Sequence, residues 1–400
     1  MTPPRVRGWC PGALRPMMSG DGLVMRLRPR LARFTRAQVL GICEAAARHA
    51  AGLIDLTSRA NLQVRGVGEA DWPKLLELFG GLDLLDADVR LESRRNLLVA
   101  PDWISGDDTE RIATGLLARL GELPELPAKV GFAIDAGPAP RLQGDSADFR
   151  IERGVDGGLI LRADGRAAGV VLEPGEEIGA LIAIARWFID SGGKAAGRMA
   201  RHAAPLPDWA RGATLPARAA EPLRCGGYAL GAIHALPFGQ VSADELAEAM
   251  LRSGAHAMRI TPWRQVLLEG AEPQHASRLA SGSLDVEKAA AAGWRVEACA
   301  GAPFCPQASA ETRPLAFHLL DLAARGRLQA GQGGAPAGGS GVCTLHVSGC
   351  AKGCAHPDAA TVCLTGRDGV FDLAYDARPG ETPCAAGLAV DAVLARLGAD

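Results

Sequence analysis

Two stretches of this chain share one pattern of apolar and polar positions, at residues 22–66 and 228–270. Each begins with an alternating apolar run that predicts a strand, continues with apolar residues at helical spacing, and ends with a second alternating run. A capping box marks each helix start, at Thr35 and Ser242, because the hydroxyl and the Gln or Glu three residues later satisfy free N–H groups of the first turn. The pattern therefore predicts an internal β-α-β repeat.

The rest of the chain predicts two further mixed domains. Between the two copies, Asp156 and the two glycines after it predict the turn of a β-hairpin, and Pro174 precedes an amphipathic helix. A Pro- and Ala-rich stretch without periodicity predicts a linker. The predicted fold is α+β, with a first half-repeat (1–85), a central α/β domain (86–203), the linker (204–223), a second half-repeat (224–285) and a cysteine-bearing domain (286–400).

Composition narrows the class of protein. Hydrophobic residues make up 48% of the 400 positions, and 43 basic against 45 acidic residues give a net charge of −2. A balanced charge argues against a general nucleic-acid or membrane-surface binder. No apolar run is long enough for a membrane span or a secretion signal, so we expect a cytoplasmic protein. In a reducing compartment, the 10 cysteines favour metal binding or catalysis over disulfides.

Four of these cysteines form two pairs near the C-terminus, Cys299-x5-Cys305 and Cys350-x3-Cys354. Each pair follows a predicted strand, and small residues in both loops permit close backbone approach to a metal centre. Clustered thiolates hold zinc or an iron–sulfur cluster. The x5 spacing is a poor fit to zinc, and the four cysteines could also be buried free thiols or form a disulfide. The arrangement favours an iron–sulfur cluster.

A second candidate site is basic. The run from Leu56 to Gly66 is predicted to be one strand, and the strand before it carries two more arginines on one face. Such a face is either simply solvated or a binding surface. Arginine rather than lysine at all four places favours bidentate recognition of a ligand with several carboxylates. The candidate ligand-binding residues are Arg26, Arg28, Arg59, Asn61, Gln63 and Arg65. The second copy has lost most of this polar face, and Arg264 is the candidate that remains there.

Two lysines are candidate catalytic cations. Lys129 lies in the stretch LPAKV, and Lys352 lies between the cysteines of the second pair. Lone lysines of this kind are more often surface residues than site residues.

Together these residues resemble the sulfite and nitrite reductase family. The resemblance rests on the repeat, the TSRANLQVR strand, RNLLVAP at 95–101, LPAKV at 126–130 and the cysteine pairs, and it extends over nearly the whole chain. It implies two ferredoxin-like β-α-β half-repeats related by a pseudo-two-fold axis, plus two mixed α/β domains. In these enzymes one cysteine bridges a 4Fe–4S cluster to sirohaem, and Cys354 matches that cysteine.

Within this family the chain is more similar to the precorrin-3B synthase branch of aerobic cobalamin biosynthesis. The similarity lies in GWCPGALRPMMSGDGLVMRLRP near the N-terminus, TPWR at 261–264 and SGCAKGCAHP at 348–357. It implies a monooxygenase that uses O2 and a reductant to hydroxylate and lactonise the tetrapyrrole precorrin-3A. Its implied cofactors are a mononuclear non-haem iron and a 4Fe–4S cluster held by Cys299, Cys305, Cys350 and Cys354.

The alternative is a sirohaem-dependent sulfite or nitrite reductase. Those enzymes carry a second lysine two residues after the counterpart of Lys129 to bind the inorganic anion, and Gly131 stands there instead. A non-enzymatic electron carrier is a third hypothesis, for which the basic face is excessive. No G-x-G-x-x-G follows a predicted strand, so we expect an external electron donor or reductase. We also expect a monomer without nucleic-acid or membrane partners.

Overall fold

A computed structural model describes residues 10–221, 223–272, 277–329 and 342–398. In that part of the chain the strands form four five-stranded sheets, and no helix is long and apolar enough to cross a membrane. The first half of the chain contains β1 (Met17–Ser19), β2 (Gly22–Leu27), β3 (Arg33–Thr35), α1 (Arg36–His49), β4 (Leu53–Leu56), β5 (Leu62–Val67), α2 (Trp72–Gly81), α3 (Val89–Arg94), β6 (Leu97–Val99), α4 (Asp108–Ala118), β7 (Phe132–Asp135), β8 (Phe149–Arg153), β9 (Leu159–Ala163), β10 (Val170–Leu172), α5 (Glu177–Asp190) and α6 (Gly193–Ala196).

The second half of the chain follows a similar order of elements. It contains β11 (Gly226–Tyr228), β12 (Gly231–Ala235), β13 (Gln240–Ser242), α7 (Ala243–Arg252), β14 (Ala257–Ile260), β15 (Gln265–Glu269), α8 (Ser277–Ala291), β16 (Trp294–Ala298), α9 (Arg313–Ala324), β17 (Cys343–Ser348), β18 (Ala360–Arg367), β19 (Val370–Ala377), β20 (Ala385–Leu388) and α10 (Val390–Arg396). Helix α9 starts later than the sequence predicted, at Arg313 instead of about Ala308, because the residues after Cys305 form a loop.

Local signals set the starts of the two repeat helices. Thr35 Oγ1 accepts a hydrogen bond from Gln38 N at 3.3 Å, and the Gln38 side chain accepts one from Thr35 N at 3.0 Å. Ser242 and Glu245 make the same pair of bonds at 3.2 and 3.3 Å. Both predicted capping boxes are therefore formed, and each fixes the first turn of its helix.

The two half-repeats exchange their edge strands. The first sheet has the order β1-β2-β5-β4-β13, and the other half-repeat forms a sheet of order β11-β12-β15-β14-β3. Val241 of β13 pairs with Ile54, and Phe34 of β3 pairs with Met258. Each sheet thus takes its last strand from the other copy, and helices α1 and α7 pack on each other. This reciprocal arrangement confirms the predicted pair of half-repeats.

The repeat extends beyond the half-repeats. The central sheet runs β6-β7-β8-β9-β10, and the sheet of the cysteine domain runs β16-β17-β18-β19-β20. In both sheets the first three strands are parallel and the last two are antiparallel. Val99 pairs with Ile134 in the first, as Ala298 pairs with Val347 in the second. Each cysteine loop therefore has a counterpart in the central domain, which the sequence alone did not indicate.

One predicted element is wrong. The run from Leu56 to Gly66 is a hairpin, because β4 ends at Leu56 and β5 begins at Leu62. Thr57 Oγ1 closes the turn by accepting hydrogen bonds from the backbone N–H groups of Arg59 and Asn61, at 3.3 and 3.2 Å. The equivalent turn in the second copy is closed in the same way by Thr261. Arg59 and Asn61 consequently lie in the turn, outside the strand.

The predicted linker packs along the central sheet. Thr214 forms an isolated bridge with Gly169, and Pro216 forms one with Gly154. The half-repeats and the central domain share one hydrophobic core, while most of the cysteine domain packs round a second.

In the central domain a buried carboxylate organises the loop that corresponds to the second cysteine loop. Asp135 Oδ2 accepts hydrogen bonds from the backbone N–H groups of Arg141 and Leu142, at 2.7 and 2.6 Å. The pKa of Asp135 is raised to about 6, chiefly by burial and also by the charges of Asp102 and Glu152, although the two backbone hydrogen bonds lower it. The folded protein therefore binds this proton more tightly than the unfolded chain does, and stability falls as pH rises from about 4 through 6.

We expect Asp135→Asn to remove this pH dependence. The amide oxygen can still accept both backbone bonds, but no buried charge forms above pH 6. Denaturant midpoints of the two proteins should be close at pH 4.5, and the variant should be the more stable one at pH 7.5. If the midpoints of the two proteins differed by the same amount at both pH values, the raised pKa of Asp135 would be contradicted.

Candidate functional site

The four clustered cysteines come together at one edge of the last sheet. Cys299 follows β16 and Cys350 follows β17, and these strands are parallel neighbours. Burial, together with the nearby thiols of Cys305 and Cys299, raises the pKa of Cys350. Cys354 is exposed, whereas the other three are partly buried. The structure thus places both cysteine pairs in one site, with Cys354 on its open side.

Backbone packing shapes these loops. Gly349 N donates a hydrogen bond to Cys299 Sγ at 3.2 Å. A Cβ atom on Gly349 would lie 2.7 Å from the Ala308 Cβ, and one on Gly301 would lie 2.4 Å from Thr312 Oγ1. Gly301 also has a φ of 67°, which favours glycine. The two loops therefore pack so closely that these positions require glycine, and an amide N–H points at a sulfur, as thiolate centres need.

No three His, Cys, Asp or Glu side chains within the described residues are arranged to hold a single metal ion.

Three of the four arginines on the basic face interact with one another. Burial, followed by repulsion from Arg28 and Arg59, lowers the pKa of Arg26 to about 10. Once the Gln63 amide is oriented to satisfy its neighbours, its oxygen accepts hydrogen bonds from Arg26 Nη2 and Nε at 2.9 and 3.2 Å. In the described part of the chain, no carboxylate lies within ion-pair distance of Arg26 or Arg59. Among the described residues, these two cationic side chains therefore have no ion-paired carboxylate.

The strand register carries this polar face across the first sheet. Arg26 on β2 lies opposite Gln63 on β5, which lies opposite Asp55 on β4. Arg65 lies two residues further along β5 and also reaches Asp55, with Nη1 at 3.3 Å from Oδ2. On the same side, Arg313 of the cysteine domain donates to Asp55 Oδ1 at 3.1 Å. The polar face of the first half-repeat is thus turned towards the cysteine domain.

Comparison with known proteins agrees with this arrangement. The profile of the nitrite/sulfite reductase ferredoxin-like half domain matches residues 15–81. The structure of the Mycobacterium tuberculosis NirA protein superposes with a TM-score of 0.54 at 17% identity, covering 90% of this chain and 76% of that chain. A precorrin-3B synthase from Sinorhizobium sp is 30% identical over an alignment of 433 positions, which covers 98% of this chain and 88% of that protein. The chain belongs to the precorrin-3B synthase family.

Membership of the precorrin-3B synthase family confirms the recognition made from the motifs. The protein is therefore an enzyme, built on the fold that the NirA comparison also shows. The roles of individual residues in this member of the family stay predictions.

The other predicted ligand-binding residues are occupied by protein partners. Arg65 is buried and paired with Asp21 and Asp55. Arg264 pairs with Glu297 beside the cysteine loops. Asn61 is buried in the hairpin. These contacts disfavour the prediction that they bind a ligand directly.

Both candidate catalytic lysines are exposed. Lys129 lies next to the basic face, where its carbonyl accepts a hydrogen bond from Arg59 Nη2 at 2.9 Å. Lys352 lies on the loop between Cys350 and Cys354. Among the described residues, neither side chain makes a contact that would assign it a role.

Sequence reasoning missed two members of the basic face. Cys10 lies close enough to Arg26 to raise the pKa of its guanidinium against the effect of burial. Arg198 acts on Arg59 by charge repulsion while its own Nε donates to Asp148 at 2.9 Å. Cys10 lies in the N-terminal motif that resembles the family, which was a signal for its place in the site. Nothing in the sequence near Arg198 indicates that it reaches this face.

Proposed function

We propose that this protein is a precorrin-3B synthase, a monooxygenase that uses O2 and electrons from an external donor to hydroxylate and lactonise precorrin-3A. The observation that carries the proposal is Arg26, a half-buried guanidinium without a carboxylate partner among the described residues, on a face turned towards a four-cysteine site.

The basic face supports a substrate with several carboxylates. A partly buried cation that lacks a carboxylate partner lowers the stability of the free protein, and an anionic ligand offsets that cost. Arg26 and Arg59 are the two side chains available to a carboxylate, and Gln63 orients the first of them. Tetrapyrrole precursors carry carboxylates round the edge of the ring, so these residues would hold one edge of the macrocycle.

The cysteine site supports a 4Fe–4S cluster held by Cys299, Cys305, Cys350 and Cys354. Four thiols in two tightly packed loops, with the Gly349 N–H directed at Cys299 Sγ, fit such a cluster. When bound, it would supply electrons singly to the reaction. The exposed Cys354 would face the substrate side, while the other three cysteines are partly buried in the two loops.

A mononuclear non-haem iron finds less support. Since no suitable group of three ligands is present in the parts of the chain that the structure covers, we assign no residues to this iron and derive no step through it.

The reductase alternative is weakened at Gly131. A Cβ atom there would lie 2.8 Å from both the side-chain nitrogen and the carbonyl oxygen of Asn96. A second lysine at this position, as sulfite and nitrite reductases carry, would therefore not fit without moving the backbone. Of the two lysines that those reductases use, only Lys129 is present in this chain.

The test is anaerobic purification followed by analysis of iron, acid-labile sulfide and the visible spectrum. The protein should contain cluster iron and should convert precorrin-3A only when both O2 and a reductant are supplied. Conversion without O2 would contradict the proposal. Bound sirohaem together with reduction of sulfite or nitrite would favour the alternative.

A further inference from the structure

The first half-repeat makes several hydrogen bonds to one backbone carbonyl beside Cys305. The oxygen of Phe304, the residue before Cys305, accepts hydrogen bonds from Ser19 Oγ at 2.5 Å, Gly20 N at 3.2 Å and Arg65 Nη2 at 2.9 Å. A Cβ atom on Gly20 would lie 2.0 Å from the carbonyl oxygen of Pro303. Hence the β1–β2 turn approaches the cysteine loop as closely as backbone allows.

The arginine in this contact is itself rigidly held. Arg65 Nε and Nη2 donate to the two Asp21 carboxylate oxygens at 3.0 and 2.9 Å, and Nη1 donates to Asp55 at 3.3 Å. Arg65 is only 6% exposed. Because two carboxylates fix its planar fork, the guanidinium is pre-organised for the loop carbonyl that it meets.

The second half-repeat also contains a buried arginine that holds a loop, but that loop has no cysteines. Arg259, on β14, is 3% exposed and ion-paired with Glu269. Its Nη1 donates to the carbonyls of Pro101 and Trp103 in the loop after β6, the counterpart of the first cysteine loop. Each copy therefore uses one buried arginine to hold the strand–helix loop of the other copy, and only the loop held by Arg65 carries cysteines.

We propose that Arg65 and Ser19 are positioning residues that fix Cys305 relative to the ligand-binding face of the first half-repeat. The proposal rests on the proposed function in taking Cys305 as a cluster ligand. It replaces the predicted role of Arg65 as a carboxylate-binding residue. The same strand carries Gln63, which orients Arg26, so one strand would set both the substrate contact and the position of one cluster ligand.

The test compares two variants of this contact with a matched control. Arg65→Lys keeps the charge but loses the fork, and Ser19→Ala removes one donor without touching any charge. The control is Arg259→Lys, the same substitution in an equally buried arginine that contacts the loop without cysteines. Since loss of a group that orients a ligand typically costs about 10- to 100-fold in metal affinity, we expect roughly tenfold faster iron release to a chelator in Arg65→Lys and a smaller increase in Ser19→Ala.

Two further readouts separate positioning from general stability. The EPR spectrum of the reduced cluster should change in Arg65→Lys and stay as in the parent protein in Arg259→Lys. In iron-free protein, Cys305 should be alkylated faster in both contact variants, as mass spectrometry of the labelled peptide would measure. The positioning role would be overturned if the rate of Cys305 alkylation were unchanged in Arg65→Lys and Ser19→Ala. It would also be overturned if Arg259→Lys raised that rate equally.

The two proposals fail differently. A parent protein that binds no iron would refute the cluster, yet the alkylation rates of Cys305 would still test the contact. A normal cluster with unchanged alkylation, iron release and EPR spectrum in Arg65→Lys and Ser19→Ala would refute the contact alone.

Discussion

Replacing Cys350 with serine should leave the protein without its iron–sulfur cluster. Cys350 lies in the loop after β17, beside the thiols of Cys299 and Cys305, so the cluster cannot be bound fully without it. A hydroxyl is a poor replacement because iron–sulfur clusters are held by soft thiolates. Iron and acid-labile sulfide should fall from about four per chain to near zero, with loss of the visible absorption of the cluster.

Cys384→Ser provides the control for that experiment. Cys384 is exposed and lies in the same domain, where its thiol hydrogen-bonds to the carbonyl of Leu373 and not to the clustered cysteines. This variant should keep its full iron and sulfide content. Normal iron in Cys350→Ser would show that the ligand assignment is wrong, and equal iron loss in both variants would point to a general loss of structure.

The second large effect is expected at Arg26. Arg26→Met should bind the tetrapyrrole substrate more weakly by about 2 kcal/mol, roughly 30-fold, while its thermal stability stays the same or rises. The reason is that burial and like charges already lower the pKa of Arg26, so removing this cation relieves repulsion in the free protein, which offsets the loss of its hydrogen bonds to Gln63. Anaerobic titration with precorrin-3A would measure binding without turnover.

Arg95→Met is the matched control for a buried arginine that has a partner. Arg95 is 5% exposed and paired with Asp86 at 2.9 Å, so its loss strands a buried carboxylate at a cost of about 3–5 kcal/mol. It should unfold at lower temperature than the parent protein. If Arg26→Met is destabilised in the same way and binds substrate normally, Arg26 is a structural residue and the proposed carboxylate site is wrong.

The parts of the fold that the sequence predicted are those with local signals. Thr35 and Ser242 each form a hydrogen-bond pattern within four residues, so a short motif was enough to place two helices. The cysteine pairs likewise follow strands within a few residues. The similarity to a known family then extended these local features to the whole chain, and the comparisons agree with it.

The features that the sequence did not predict depend on distant residues. Arg65 looks like its neighbour Gln63 in an alternating strand, and only the positions of Asp21 and Asp55 decide that its charge is already neutralised. The Phe304 carbonyl is a backbone group that every residue has, so the sequence does not indicate that Arg65 binds it. The turn at Thr57–Asn61 was missed because it contains no Gly or Pro and continues the alternation of the strands on either side.

The exchanged edge strands also bear on how the chain is made. During synthesis from the N-terminus, the outer edge of β4 has no partner until β13, at Gln240–Ser242, leaves the ribosome. An unpaired strand edge is a site for aggregation, so the nascent first half must be shielded while the residues between β4 and β13 are synthesised. Expressing residues 1–223 alone should accordingly give an aggregating fragment, and co-expression with residues 224–400 should rescue its recovery.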